Sequence, residues 1–179
     1  MPRIVEERFY GGVGQKIARL GLMPLIDEVR SLLTGFTLLV EEKKDANGAA
    51  GIRKRIDRRF EQQGGWTKAA SGSADWTKSK IVNGTTLCLE VEIQVSARSD
   101  LLIRDVIHLR DSLEAGRIDV GIIVVPSDTL GPFLTDRTPR LRDATRTIKE
   151  ARAENLPILL IAVEHDGPGP ALPKQRKSA

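Results

Sequence analysis

Apolar positions recur along the chain with two different spacings. In QKIARLGLMPLIDEVRSLL (15–33), Ile17, Leu20, Ile26, Val29 and Leu33 follow a broadly helical pattern that Gly21 and Pro24 interrupt, which predicts a broken or kinked helix. GFTLLVEEK (35–43) reads as a short strand. DANGAAGIRKRIDRRFEQQ (45–63) then enters a helix with Ile52, Ile56 and Phe60 four residues apart, ended by GGW. That spacing leaves Arg53 and the other basic residues off the buried stripe.

From residue 74 the period shortens to two. ADWTKSKIV, the dipeptide NG and TTLCLEVEIQVS read as strand, two-residue turn and strand, because Asn-Gly readily supplies the positive φ angles of a tight hairpin turn. In the second strand Leu87, Leu89, Val91, Ile93 and Val95 share one face, and Cys88, Glu90, Glu92, Gln94 and Ser96 share the other. The simplest reading of the polar face is solvent. SDLLIRDVIHLRDSLEAG follows as a helix, with Ser99 or Asp100 as N-cap, a stripe of Leu102, Val106, Leu109 and Leu113, and a stop at Gly116. IDVGIIVVP and PILLIAVE are continuous apolar runs typical of strands covered on both faces. The helix between them, RLRDATRTIKEARAENL, predicts a right-handed parallel crossover in an α/β fold. Residues 1–165 are expected to form a single domain and 166–179, Pro/Gly-rich and basic, a disordered tail.

The composition narrows the function. With 179 residues and 40% hydrophobic content the chain is long enough for one sizeable core, and its longest apolar runs fall far short of a membrane span. The charged N-terminus lacks a secretory apolar region, so a cytoplasmic protein with no membrane partner is expected. A single cysteine, Cys88, excludes an internal disulfide and a Cys-rich zinc site, and His108 and His165 are not at ligand spacing. No Gly-rich loop joins a strand to a helix, which ranks a small-molecule α/β protein last. The net charge of +4 favours an anionic partner only mildly, but in RKRIDRR (53–59) five of seven residues are basic. Lys68, Lys78, Lys80, Arg98 and Arg104 follow. The group is either a solvated face or a phosphate-tracking surface.

The turn decides between solvent and chemistry for the acidic face. With Asn83 and Gly84 as the turn residues, Val82 pairs with Thr85 and, counting back, Asp75 lies opposite Glu92. Directly opposed residues have Cβ atoms about 4.5–5.5 Å apart, so two carboxylates would face each other unless a cation sits between them. Mg²⁺ is suited to one or two carboxylates, a carbonyl, waters and a phosphate oxygen. A paired Asp75 and Glu92 beside a basic surface is therefore a metal-dependent nuclease layout. The same register sets Lys78 and Lys80 opposite Leu89 and Leu87, so the hairpin tip is expected to project from the core or to carry a bulge. Glu90, opposite Thr77, is expected to be solvated, and Trp66 and Trp76 to be packing groups.

These residues resemble the BglII/BstYI group of type II restriction endonucleases. LEVEIQVS is similar to that family's Val-Glu-Val-Gln-Phe-Ser strand, in which Gln takes the place usually held by Lys in the wider superfamily. The likeness extends over roughly residues 15–165, through GGW, DLLIRDV, VGIIVVP and ATRTIKEARAENLPILLIAVE. It implies a restriction-endonuclease-like α/β core with a mixed central sheet flanked by helices. It also implies Asp75 and Glu92 as metal-binding carboxylates, the Ile93 carbonyl as a further ligand, and Gln94 as the third catalytic residue, with Mg²⁺ as cofactor. Gln94 has no basicity at neutral pH and would hold water or phosphate by hydrogen bonds. Ser96 falls where the family contacts DNA. Arg98 and Arg104, with Arg53, Arg55 and Arg58 of the basic helix, complete the expected DNA-binding set.

Three departures accompany the likeness. The family's Asp-to-Glu spacing is shorter and, counted back from Glu92, reaches Asn83, which the turn claims. The Asn that follows the family's Ser is Ala97 here. The chain ends soon after residue 165, where better-known members continue, so no target sequence is carried over. The resemblance implies cleavage of double-stranded DNA by a homodimer, in restriction of foreign DNA beside a cognate methyltransferase. A catalytically inactive DNA-binding protein that keeps the fold is the alternative.

Overall fold

The structure, a computed structural model, describes residues 1–68, 74–96, 99–135 and 137–174. The predicted broken helix is two helices, α1 (Val13–Arg19) and α2 (Met23–Thr34), parted at Gly21, whose φ is +65°. Helix α3 (Ala50–Gln63) buries Ile52, Ile56 and Phe60 as the spacing requires, and Gly64 and Gly65, both at positive φ, end it. The hairpin is β4 (Trp76–Val82) and β5 (Thr85–Ile93), with Asn83 and Gly84 at φ +50° and +77° in the turn. Its pairs run without a shift from Val82↔Thr85 to Trp76↔Val91, which is the predicted register. Helix α4 (Ser99–Glu114), β6 (Val120–Pro126), α5 (Leu141–Glu150) and β7 (Ile158–Glu164) follow in the expected order.

The architecture is α/β with a mixed central sheet flanked by helices. With β1 (Arg3–Phe9) and β3 (Thr67–Lys68), these strands form a six-stranded sheet in the order β1-β7-β6-β5-β4-β3, in which β5, β6 and β7 are parallel and the outer strands antiparallel. Alternate residues of the parallel strands feed two cores. Leu89, Val91, Ile93, Ile122, Val124, Leu159 and Ile161 pack with α1, α2 and α3. Ile123, Val125, Ile158 and Leu160 pack with α4 and α5. Both faces are covered, which is why β6 and β7 read as uninterrupted apolar runs.

Three expectations need correction. Strand β1 was not foreseen: RIVEERF is mostly exposed and charged, and it joins the sheet by edge pairing with β7 rather than by a buried face. Residues 166–174 are not a disordered tail. Gly167–Pro168 (β8) pairs in parallel with Leu39–Val40 (β2), and Leu172 is buried in the core with its N–H on Asn47 Oδ1 and its carbonyl accepting from Gly48 N. The remainder, 175–179, lies outside the described residues. The hairpin tip is exposed at Ile81 and from Asn83 to Thr86, but it carries no bulge, and Lys78 does not turn away from the core. Its ammonium lies 2.7 Å from Glu28 Oε1 and 5.4 Å from the Trp66 ring centre, so the stem covers apolar surface while the charge is paired.

Candidate active site

Trp76 pins the start of β4 to helix α3. Its ring is 2% exposed and stacks on Phe60 at 5.4 Å, and its indole N–H donates to Asp57 Oδ1 at 2.9 Å. The residue before it, Asp75, is thereby held at the open end of the hairpin opposite Glu92. Asp75 Oδ2 accepts from Ile93 N at 2.7 Å, and its charge bears on the neighbouring Glu92 carboxyl. The Glu92 carboxyl, on the polar face of β5, is not in solvent: it is 4% exposed. Burial, then the nearby charges of Asp75 and Asp105, push its pKa up to about 9, with Arg53 acting the other way.

Helix α4 supplies the cover. Leu102, Val106 and Leu109 face the sheet, and Asp105, one turn from both Leu102 and Leu109, sits on the same side. The Gln94 amide N–H donates to Asp105 Oδ2. Burial raises the pKa of Asp105, while Arg104, with Nε 3.3 Å from Oδ1, opposes the rise. Gln94 is 3% exposed and its Oε1 has no partner. His108 brings Nδ1 to 3.7 Å from Glu92 Oε1, too far for a hydrogen bond, and that nitrogen also has no partner. Glu90 is half-buried under the same helix rather than solvated. Burial raises its pKa, with His108, Ser112 and Arg117 opposing the rise, and one oxygen is buried without a partner.

The site's principal cation is Arg53. Nη2 lies 2.6 Å from Asp75 Oδ1, Nη1 donates to the Ile93 carbonyl at 2.7 Å, and Nε donates to Asp57 Oδ1 at 3.0 Å. Burial works against its charge, but Asp75 and Asp57 overcome that and hold its pKa above the ordinary arginine value. Arg53 therefore does not share the exposed face of α3. Arg55 and Arg58 do, Arg55 with one N–H on the Thr37 carbonyl at 2.8 Å. Ser96 is half-buried just past β5 and Arg104 is exposed, whereas Arg98 lies outside the described residues. Asn83 is exposed at the hairpin tip, roughly 25 Å along the strand from Asp75. It has no part in the site.

Asp75, Glu92, Gln94 and the Ile93 carbonyl are thus together, as the register predicts. Asp105 and His108 were missed, although the spacing of Asp105 from Leu102 and Leu109 already marks it as facing the sheet. Among the described residues no three His, Cys, Asp or Glu side chains form a metal-ligand set of their own. The donors are instead two carboxyl groups and a backbone carbonyl, beside an unpartnered amide oxygen. That set is compatible with a hard cation that keeps several waters.

An acidic pair at the end of a buried strand, with an amide two residues on, in a mixed sheet flanked by helices, is the arrangement of a restriction-endonuclease-like nuclease. The family model for restriction endonuclease BglII/BglIII matches residues 21–163, and the chain belongs to that family. The match runs from the start of α2 almost to the end of β7 and includes every residue of the site. No curated protein matches the chain. A restriction-endonuclease-type nuclease function follows from the family, and among the described residues no helix is long and apolar enough to cross a membrane.

Proposed function

We propose that this nuclease is a Mg²⁺-dependent type II endonuclease that hydrolyses phosphodiester bonds at specific sites in double-stranded DNA. The observation that carries the reading is the Asp75–Glu92 pair, in which burial first, and then the nearby Asp75 and Asp105, push the carboxyl of Glu92, 4% exposed, up to about 9. Such a pair is stabilised by a divalent cation far more than by water. Asp75, Glu92 and the Ile93 carbonyl would hold Mg²⁺, which when bound supplies charge neutralisation at the phosphate and acidity for the attacking water. Asp105 engages the Gln94 amide N–H, so Gln94 Oε1 is left to accept a hydrogen bond from that water. Gln94 orients the nucleophile without taking its proton. Arg55, Arg58, Ser96, Arg98 and Arg104 are the proposed DNA contacts. A homodimer suits a palindromic target, and restriction of foreign DNA in the cytoplasm beside a cognate methyltransferase is the proposed biological role.

The test is incubation of the purified protein with unmethylated phage DNA at low salt, with Mg²⁺ or with chelator, beside the Glu92→Ala variant. Discrete fragments only with wild type and metal are expected. Gel retardation without cleavage across a wide panel of DNAs would favour a catalytically silent DNA-binding protein.

A further inference from the structure

The acidic site already holds a cation of its own. Arg53 reaches from α3 to set Nη2 2.6 Å from Asp75 Oδ1 and Nη1 2.7 Å from the Ile93 carbonyl oxygen. Those are two of the three donors that the functional reading assigns to Mg²⁺. A magnesium ion bonds such oxygens at about 2.0–2.1 Å and requires nearly ideal octahedral geometry. With the guanidinium hydrogen-bonded to the same two oxygens, a divalent ion would sit within a few ångströms of a like charge in a site with little water, where repulsion is strongest. The two cations compete for one seat.

The remaining bonds show how Arg53 could leave it. Nε is held at 3.0 Å by Asp57 Oδ1, and Asp57 is itself fixed by the Trp76 indole N–H at 2.9 Å. Asp57 lies one helical turn beyond Arg53, on the same side of α3. The side chain is therefore anchored part-way along, while its two terminal nitrogens engage the ligand oxygens. The guanidinium is one rigid plane, so rotation about the aliphatic stem would turn Nε from Asp57 and vacate those oxygens together, without unseating the helix.

We infer that Arg53 is a placeholder for the divalent cation: it fills the seat between Asp75 and the Ile93 carbonyl in the free protein, withdraws when the ion enters, and then turns its guanidinium to a DNA phosphate. The inference rests on the assignment of Asp75, Glu92 and Ile93 as metal donors. It makes Arg53 a positioning residue that suppresses metal binding until DNA is present. By linkage, a duplex that draws Arg53 away tightens metal binding by the same factor by which the metal tightens DNA binding. The competing account is a permanent buttress, in which Arg53 holds Asp75 in place with or without metal. The two accounts differ in sign, because losing a buttress weakens metal binding and losing a placeholder strengthens it.

Calorimetric titration of Mn²⁺ without DNA separates them, using wild type, Arg53→Met, Arg53→Lys and Glu92→Ala, each with a thermal melt in chelator. Arg53→Met keeps an unbranched stem and removes the charge. It is expected to bind Mn²⁺ at least about tenfold more tightly than wild type, because the apparent Kd of a site open for only a fraction of the time is the intrinsic Kd divided by that fraction. Arg53→Lys, whose ammonium is a point charge without the planar fork, is expected between the two. The Tm of Arg53→Met should be lower in chelator and should rise more with Mn²⁺ than that of wild type. Equal or weaker Mn²⁺ binding by folded Arg53→Met overturns the placeholder while leaving the metal site standing. If Arg53→Met does not fold, Arg53→Lys decides on the same criterion. Absence from both wild type and Arg53→Met of any Mn²⁺ binding that Glu92→Ala abolishes overturns the metal assignment itself, and the placeholder with it.

Discussion

Two buried carboxylate clusters stand at the carboxyl ends of parallel strands, one at β5 and one at β7 with β6 between them, and they are equally deep. Glu92 is 4% exposed and Glu164 is 5% exposed. Around Glu164 every polar group is used. Oε2 accepts from Ser127 Oγ at 2.5 Å, Oε1 accepts from His165 N at 3.0 Å and pairs with the His165 ring, and the far ring nitrogen lies 3.0 Å from Glu42 Oε1. Ser127 Oγ in turn accepts from Leu130 N at 2.9 Å. Around Glu92, by contrast, Gln94 Oε1, His108 Nδ1 and a Glu90 oxygen are buried without partners, and the carboxyl groups of Glu92, Asp75 and Asp105 gather with Arg53 and the exposed Arg104 beside them. Depth therefore does not set the proposed catalytic carboxylate apart from the structural one. Unused hydrogen-bonding capacity and uncompensated charge do.

The contrast is broken most severely by activity. Asp75→Ala or Glu92→Ala is expected to lower cleavage by at least about 10³-fold, since on the proposed reading several kcal/mol of transition-state stabilisation depend on the cation assigned to them. DNA retardation should largely persist. A merely modest loss of rate would remove these residues from the metal site. The next effect is on stability and has the opposite location. Glu164→Ala should destabilise the fold by about 3 kcal/mol, because Ser127 and His165 lose their partner inside the protein, whereas Glu92→Gln should leave stability unchanged or raise it in chelator. Denaturant titrations of both variants check this, and similar losses for the two would erase the distinction.

The pH dependence sharpens the comparison further. Glu92 is held up to about 9 in the folded protein against 4.5 for the free side chain. Between those values the folded state keeps a proton that the unfolded chain has released, so this group's contribution to stability is fullest below about pH 4.5 and falls as pH rises to about 9. Melts in chelator across that range should show the decline in wild type and a shallower slope in Glu92→Gln. An identical slope in both would assign it to other groups. The smallest effect concerns the surface. Arg58→Ala and Arg104→Ala should each weaken DNA binding and reduce the slope of log affinity against log salt by about one, the signature of one lost phosphate contact. An unchanged slope would turn those side chains away from the duplex.

Much of the site was legible because it depends on local rules. Asn83-Gly84 fixes the turn, the turn fixes the register as far as Trp76↔Val91, and one step further on Asp75 meets the Glu92–Ile93 segment. Other features depend on what a segment meets. RIVEERF has no buried stripe to announce it and becomes a strand only because β7 offers an unpaired edge. Leu172 looks like one apolar residue in a Pro/Gly-rich tail, yet Asn47 Oδ1 receives its backbone and the core receives its side chain. Arg53 lies off the buried stripe of α3, as the spacing says, but its long side chain reaches inward to charges on another element.

By itself the sequence determined the two covered faces of the sheet, the helices between the strands and the opposition of Asp75 to Glu92, because periodicity and turn chemistry act over a few residues. Only the tertiary structure decided that the acidic face of β5 is buried beneath α4, that Asp105 and His108 join it, and that Arg53 fills it. Electrostatic energy depends on distance and on the exclusion of water, and both are set where elements distant along the chain come together.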